Sequence, residues 1–308
     1  MKVPTRGTRA EEADVEKAND RVLVIGGTGK TGRELVRLLA EADVPVRAAS
    51  RHPVKPAGGT AETVEFDWAR PETHAAALED VGSLYLVPPA LVADASGQVV
   101  PFLRRAVDGG VRRIVQLSAM GVDAAPEEVG LRKIERAVMG SGAGWTILRP
   151  NWFMQNFSES FFLPAILERG ELVAPTGDAA VSFIDSRDIA AVAVAALVEE
   201  GHDEAGYALT GGQALTFGEA AEAIGRAAGR EVRHVDVASE AMRRVMVEWG
   251  MPGDYADMMM GLFGGISAGW SEPVDDSVGR VLGRPPISFA EYARDNADAW
   301  RPAATRSA

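Results

Sequence analysis

The chain has 308 residues, a formal net charge of −12, 46% hydrophobic and 25% charged residues, and no cysteine. This is the composition of an ordinary globular protein, and it excludes disulfides, thiolate metal sites and thiol catalysis. The acidic balance argues against a nucleic-acid partner, because counterion release requires clustered Lys and Arg.

The longest apolar run, Ile189 to Val198, is ten residues, whereas a bilayer span needs about 20. Residues 1–20 carry no apolar stretch of the signal-peptide kind. The expectation is a cytoplasmic chain with no membrane partner. One local exception to the negative charge lies between Val44 and Ala61, where Arg47, Arg51 and Lys55 occur without a single acid.

In chain order, residues 1–20 mix both charge signs with few large apolar side chains and read as a disordered leader. Arg21–Ile25 is a short branched-aliphatic run closed by glycines, the pattern of a buried strand. Leu35, Leu38, Leu39 and Ala42 then fall on one face of a helix. Strands are expected at Val44–Ser50, Thr63–Phe66 and Ser83–Val87, the last stopped by Pro88 and Pro89, which cannot donate to a ladder. A helix at Val99–Val107 ends at Gly109-Gly110. Strand Arg112–Ser118, helix Leu131–Met139 and strand Trp145–Arg149 follow.

Strands alternating with helices predict an α/β fold, a doubly wound parallel Rossmann sheet. After Pro150 the texture changes. Asn151–Leu163 is crowded with aromatics, Val181–Ile184 reads as a strand, and Asp188–Val198 as a helix buried nearly all round. Tyr207–Thr210, Phe217–Ala228 and Glu231–Val237 suggest a strand–helix–strand unit, and 239–263 a Met-rich helical region. The expected division is a Rossmann domain over 21–155, completed by about 181–199, with 156–308 mainly a smaller carboxy-terminal substrate lobe.

The strongest motif is Gly26-Gly-Thr-Gly-Lys-Thr-Gly32 between the first strand and the first helix. In G-x-x-G-x-x-G, Gly26 permits the tight turn, Gly29 lets the backbone approach a pyrophosphate, and Gly32 lets helix and strand pack closely. The helix amino terminus offers unpaired N–H groups to phosphates. The Gly-Lys-Thr within it does not make a nucleotide-triphosphatase loop, because Val24 stands where that loop needs glycine. The second strand ends in Ser50-Arg51, without the acidic residue that would hold an NAD ribose, and Arg51 can pair with a 2′-phosphate. NADP(H) is the expected cofactor. Asp67 can accept from the adenine amino group or cap the helix that starts near Pro71.

Together with the glycine loop, Leu148-Arg-Pro-Asn-Trp-Phe-Met-Gln-Asn-Phe157 and Phe183-Ile-Asp-Ser-Arg-Asp-Ile189 resemble the NmrA-like branch of atypical short-chain dehydrogenases/reductases. Within that branch, they are most similar to relatives of quinone reductases and ergot-alkaloid iminium reductases. The resemblance covers about Arg21 to Trp300. It implies an extended Rossmann fold, NADP(H), and a hydrophobic small-molecule substrate, planar or polycyclic. It places cofactor contacts on Thr28, Gly29, Lys30, Thr31, Gly32, Ser50, Arg51, Asp67, Val87, Pro88, Pro89 and Ser118, with Pro150 and Asn151 beside the nicotinamide. It leaves a homodimer open.

This sequence departs from the usual pattern in its acid catalysts. None of Tyr85, Tyr207, Tyr255 and Tyr292 has a lysine four residues on, so the Tyr-x-x-x-Lys relay is excluded. Related reductases carry His or Lys four residues before the glutamate that matches Glu135, and here that residue is Leu131. Lys133 is the near substitute, one face round the helix, and is a candidate for catalysis. Hydride transfer needs little acid help when the acceptor is electron-poor, and positioning then supplies most of the effect. Asn151, or a water held near Ser118, could stabilise charge developing on oxygen.

The pocket is expected to be lined by Trp152, Phe153, Phe157, Met246, Trp249, Met251, Tyr255, Met258 and Met259, each of which could instead belong to the lobe core. Isolated histidines predict no metal site. The expected function is an NADPH-dependent reductase of an iminium, quinone, enone or ketone, in secondary metabolism. A non-catalytic NADP(H) sensor and an epimerase or isomerase with bound cofactor are the alternatives. Substrate identity, stereochemistry and oligomeric state are not legible.

Overall fold

A computed structural model describes residues 21–54 and 61–301. The expected leader at 1–20, and Lys55, lie outside the described residues. Seven parallel strands form the central sheet: β1 (Arg21–Ile25), β2 (Val46–Ser50), β3 (Glu62–Glu65), β4 (Val81–Leu86), β5 (Arg113–Leu117), β6 (Gly144–Pro150) and β9 (Ala205–Leu209), in the order β3-β2-β1-β4-β5-β6-β9. The order reverses between β1 and β4, which opens a crevice at the carboxyl ends of these strands, where open α/β sheets bind ligands. Alternate residues of one strand serve opposite faces: on β5, Ile114 enters one apolar cluster and Val115 the other.

Helices α1 (Lys30–Glu41), α2 (His74–Leu78), α3 (Ser96–Asp108) and α4 (Gly130–Met139) follow the early strands. Leu35, Val36 and Leu39 bury the inner face of α1. Helix α6 (Ser186–Val198) packs against it. Its Ala- and Val-rich sequence leaves only its far end exposed, and the Asp185 side chain caps it by accepting from the Arg187 amide at 2.8 Å.

The lobe contains α5 (Leu163–Arg169), β7 (Glu171–Ala174), β8 (Ala180–Val181), β10 (Leu215–Thr216), α7 (Phe217–Ala228), β11 (Arg233–Asp236), α8 (Ser239–Glu248), α9 (Gly253–Ser267), α10 (Ser277–Leu282) and α11 (Phe289–Asp295). Strands β7 and β11 pair parallel, and β8 pairs antiparallel with β10. Phe157, Phe183, Phe217 and Phe289 interlock at ring-centroid separations of 5.1–6.0 Å, largely in the edge-to-face geometry aromatic pairs favour.

Three expectations change. The strand near Tyr207 does not belong to a separate lobe unit, because β9 pairs parallel with β6 as the seventh strand of the main sheet. The strand expected over Val181–Ile184 shrinks to Ala180–Val181, with a single parallel bridge from Ile184 to Phe153. The Met-rich region is two helices. Gly250 takes a left-handed φ of 86° after α8, and Pro252 opens α9, a break consistent with glycine at a helix end and proline at a start.

Candidate functional site

The glycine loop brings the carboxyl end of β1 directly onto α1. A Cβ at Gly32 would stand 2.1 Å from the Gly26 carbonyl oxygen, and one at Gly27 2.9 Å from the Cβ of Ala48. These contacts are the close helix–sheet packing that demands glycine. Gly26 itself has φ +72°, the left-handed region. Gly29 differs: a Cβ there would meet only the Gly26 carbonyl, at 3.1 Å, and both Thr28 and Gly29 are exposed. Helix α1 starts on Gly29 without a side-chain cap and without an acid in its first turn. Its leading amides thus face an open surface, and the loop fits a dinucleotide pyrophosphate.

Around this loop, Thr31 is buried and accepts a hydrogen bond from the Tyr85 hydroxyl at 3.1 Å. Val87 lies 3.9 Å from the position a Gly26 Cβ would take, so the Val87-Pro88-Pro89 strand end borders the same crevice. At the tip of β2, Ser50 is buried and Arg51 exposed. Asp67 accepts from the Ala69 amide at 2.9 Å and from Arg70 at 3.3 Å. These bonds, first the amide, with Arg51 adding to them, hold its carboxyl below the usual range. Arg47 does not contribute to a basic rim: it is buried, donating to the carbonyls of Ala76, Ala77 and Glu79 and to Glu62.

Next to the crevice, a cavity of about 610 Å³ opens between the ends of β5 and β6, the loop after β4 at Ala90 and Leu91, and helices α8 and α9 of the lobe. This is the size of a small-molecule site. Pro150, Asn151, Trp152, Phe153, Ser118, Met246, Met251, Tyr255 and Met259 line it, as does Lys30 from the glycine loop. Three expected pocket residues do not. Phe157 is fully buried in the lobe core, its carbonyl accepting from the Trp300 indole at 2.8 Å. Trp249, 52% exposed, lines a separate cavity of about 140 Å³. Met258, three residues past Tyr255 on α9, is half-buried away from the wall that Tyr255 and Met259 form.

The candidate catalytic groups are placed unequally. Ser118 Oγ donates to Glu135 Oε1 at 2.6 Å. Glu135 is fully buried, and also accepts from Arg149 at 2.9 and 2.8 Å and from Arg132 at 3.3 Å. With its proton given to a carboxylate, Ser118 offers the cavity lone pairs. Asn151 is buried, and its amide donates to Ser182 Oγ at 2.8 Å and to the Ser271 carbonyl at 2.7 Å. Both amide hydrogens are thereby engaged, so the side chain ties the β6 exit to the 271–273 segment and has no donor left for a developing oxyanion. Lys133 does not line the cavity. It is 40% exposed and paired with Asp94 at 2.6 Å, on the loop that carries Ala90 and Leu91 to the cavity mouth.

Sequence reasoning missed the mouth itself. Leu91, in a left-handed φ of 61°, Leu262 and the 75%-exposed Trp270 frame it. Trp270 lies over α9 because Gly265 has no side chain: a Cβ there would stand 3.0 Å from the indole. The Trp270–Gly265 juxtaposition joins a loop to a helix and has no local sequence pattern. Among the described residues, no group of His, Asp and Glu could hold a metal ion, and no helix is long and apolar enough to cross a membrane.

The family model described as NAD(P)H-binding matches residues 26–200. The NAD(P)H azoreductase of Xenophilus azovorans is 39% identical over 287 residues, covering 91% of this chain and 99% of that protein. The agroclavine dehydrogenase of Claviceps fusiformis is 32% identical over 291 residues, covering 91% and 98%. The crystal structure of the Escherichia coli NADPH-dependent quinone oxidoreductase QOR2, complexed with NADPH, superposes with a TM-score of 0.75 at 25% identity, covering 89% of this chain and 99% of that one. The chain therefore belongs to the NAD(P)H-binding family and is an NAD(P)H-dependent oxidoreductase, and it shares its fold with NmrA and with a short-chain dehydrogenase/reductase superfamily protein.

Proposed function

We propose that the chain uses NADPH to reduce an electron-poor, hydrophobic small molecule, a quinone, enone, ketone or iminium, of the kind met in secondary metabolism. One observation carries this reading: the uncapped glycine loop after β1 opens onto the apolar cavity, since Lys30 at the start of α1 lines the cavity together with Ser118 and Pro150 from the ends of β5 and β6. Bound in the crevice, the dihydronicotinamide supplies a hydride.

The chain's own residues bind and orient. First-turn amides of α1 hold the pyrophosphate, Ser50 and Arg51 the 2′-phosphate, and Asp67 the adenine edge. Ser118, its proton committed to Glu135, accepts a hydrogen bond from the nicotinamide side. Trp152, Phe153, Met246 and Met259 exclude water and present an adaptable apolar wall. Proximity and desolvation then carry most of the acceleration. The relatives' names, an NAD(P)H azoreductase and an agroclavine dehydrogenase, support hydride chemistry on an organic small molecule.

The test is NADPH consumption by purified protein across naphthoquinones, conjugated enones, azo compounds and cyclic iminium salts. Turnover with at least one class, with NADPH preferred over NADH, is the expected result. Tight NADP(H) binding with no consumption by any acceptor would favour a sensor. Protein that purifies with dinucleotide attached and turns over without net consumption would favour an epimerase.

A further inference from the structure

Among the described residues that line the cavity, Lys30 is the only charged side chain. Its backbone belongs to the glycine loop, but its ammonium reaches across to the lobe and donates to Asn156 Oδ1 at 2.8 Å. Asn156 is neutral, and an ammonium has three hydrogens, so two remain for a ligand. The carboxylate that acts on Lys30, Glu159, is clamped by Arg33 through both oxygens at 2.8 and 2.6 Å. Arg33 adds a like charge, and Glu34 answers Arg33 at 3.8 Å. Burial pulls the Lys30 ammonium toward deprotonation, the Glu159 field opposes this, and Arg33 assists. The other polar groups supply no comparable acid. Ser118 and Asn151 have spent their hydrogens, and burial makes the Tyr255 hydroxyl hold its proton more firmly.

We propose that Lys30 is the proton donor and charge partner of the reducible group, and that the acceptor is accordingly a neutral carbonyl, conjugated enone or azo compound and not an iminium or other cation. This rests on the reductase reading. Hydride forms a new C–H or N–H bond at one atom of the double bond, and the π pair moves to the far atom. That atom bonds the proton leaving Lys30 Nζ, and the amine recovers a proton from water. Hydride and this one proton, two electrons and two protons in all, complete the reduction. A cationic acceptor is neutralised by hydride alone, takes no proton, and would have to sit beside a like charge in an apolar cavity, where such repulsion is strong.

The test uses the full chain with Lys30→Met and Lys30→Arg. Calorimetry measures NADPH affinity. Tryptophan quenching, with NADP+ present, measures binding of para-nitrophenolate, which mimics the developing anion, and of para-nitrophenyltrimethylammonium. The parent and Lys30→Arg should prefer the phenolate by about tenfold or more, and Lys30→Met, saturated with NADP+, should lose that preference. Quinone turnover should fall roughly a hundredfold in Lys30→Met, while any iminium turnover should not fall. A phenolate preference that survives Lys30→Met overturns the proposal. So does a tenfold loss of NADPH affinity, which assigns the ammonium to the dinucleotide phosphates. An intact, Lys30-dependent phenolate preference with no acceptor reduced overturns the reductase reading and not the charge partnership.

Discussion

Ser118 Oγ donates its hydrogen bond to the Glu135 carboxylate at 2.6 Å, and the same carboxylate, wholly buried, also accepts two hydrogen bonds from Arg149. A carboxylate in the interior is costly unless its lone pairs are filled, and here serine and two arginines fill them. Removing it would leave Arg149 only the exposed Asp123 at 3.8 Å, and Arg132 only the exposed Glu127 at 3.4 Å, as carboxylate partners. Glu135→Ala should destabilise the fold by about 3–5 kcal/mol, read from urea unfolding, and the loss should exceed that of Ser118→Ala. An unfolding midpoint within error of the parent would mean that water replaces the carboxylate.

The two glycines of the loop should separate structure from binding. A methyl at Gly32 would lie within 2.1 Å of a backbone carbonyl, whereas one at Gly29 meets only the Gly26 oxygen at 3.1 Å. Gly32→Ala should lower the melting temperature sharply, overpacking being worth about 1–3 kcal/mol or more. Gly29→Val should melt close to the parent in buffer and lose the upward shift that NADPH produces. A normal NADPH shift in Gly29→Val would put the phosphates elsewhere.

Arg51 sits exposed at the tip of β2, within electrostatic reach of Asp67. If it holds the 2′-phosphate, a charge-assisted hydrogen bond of about 1.5–3 kcal/mol is at stake. Arg51→Glu should weaken NADPH binding ten- to a hundredfold and narrow the gap to NADH. Calorimetric titration of the parent with both cofactors checks the premise: equal affinities would remove it.

Lys133 anchors a loop. Its ammonium, then Ser96, holds the Asp94 carboxyl down at about 2, below the ~3.9 of an unpaired aspartate. The pair therefore contributes stability above about pH 4, and that contribution is lost as pH falls toward 2. Both partners are largely solvent-exposed, so the contribution is small, under about 1 kcal/mol. Lys133→Met should leave hydride transfer within a few-fold of the parent and flatten the acid side of the stability–pH curve. A large fall in kcat would return Lys133 to the catalytic machinery.

Much of this molecule was legible without coordinates. The strand–glycine–helix unit, the buried α6 and the helix Phe217–Ala228 follow from local periodicity and capping, which act over a few residues. The second helix of the Met-rich region was hidden because the apolar residues run on through the break, and only Gly250 and Pro252 mark it. The membership of β9 in the main sheet was hidden because a strand pattern says nothing of its partner.

The sequence by itself determined the parallel sheet, the dinucleotide loop and the absence of a Tyr–Lys relay, because glycine placement, alternation and residue type are local properties of the chain. Only the tertiary structure decided where the hydrogens go. It commits those of Ser118 and Asn151 to Glu135, Ser182 and Ser271, sends Lys133 to Asp94, and leaves Lys30 as the cavity's charge. Those assignments depend on partners from 17 to 120 residues away, brought within hydrogen-bond reach by the packing of the sheet and its helices for Ser118 and Lys133 and by the later segments around Ser182 and Ser271 for Asn151.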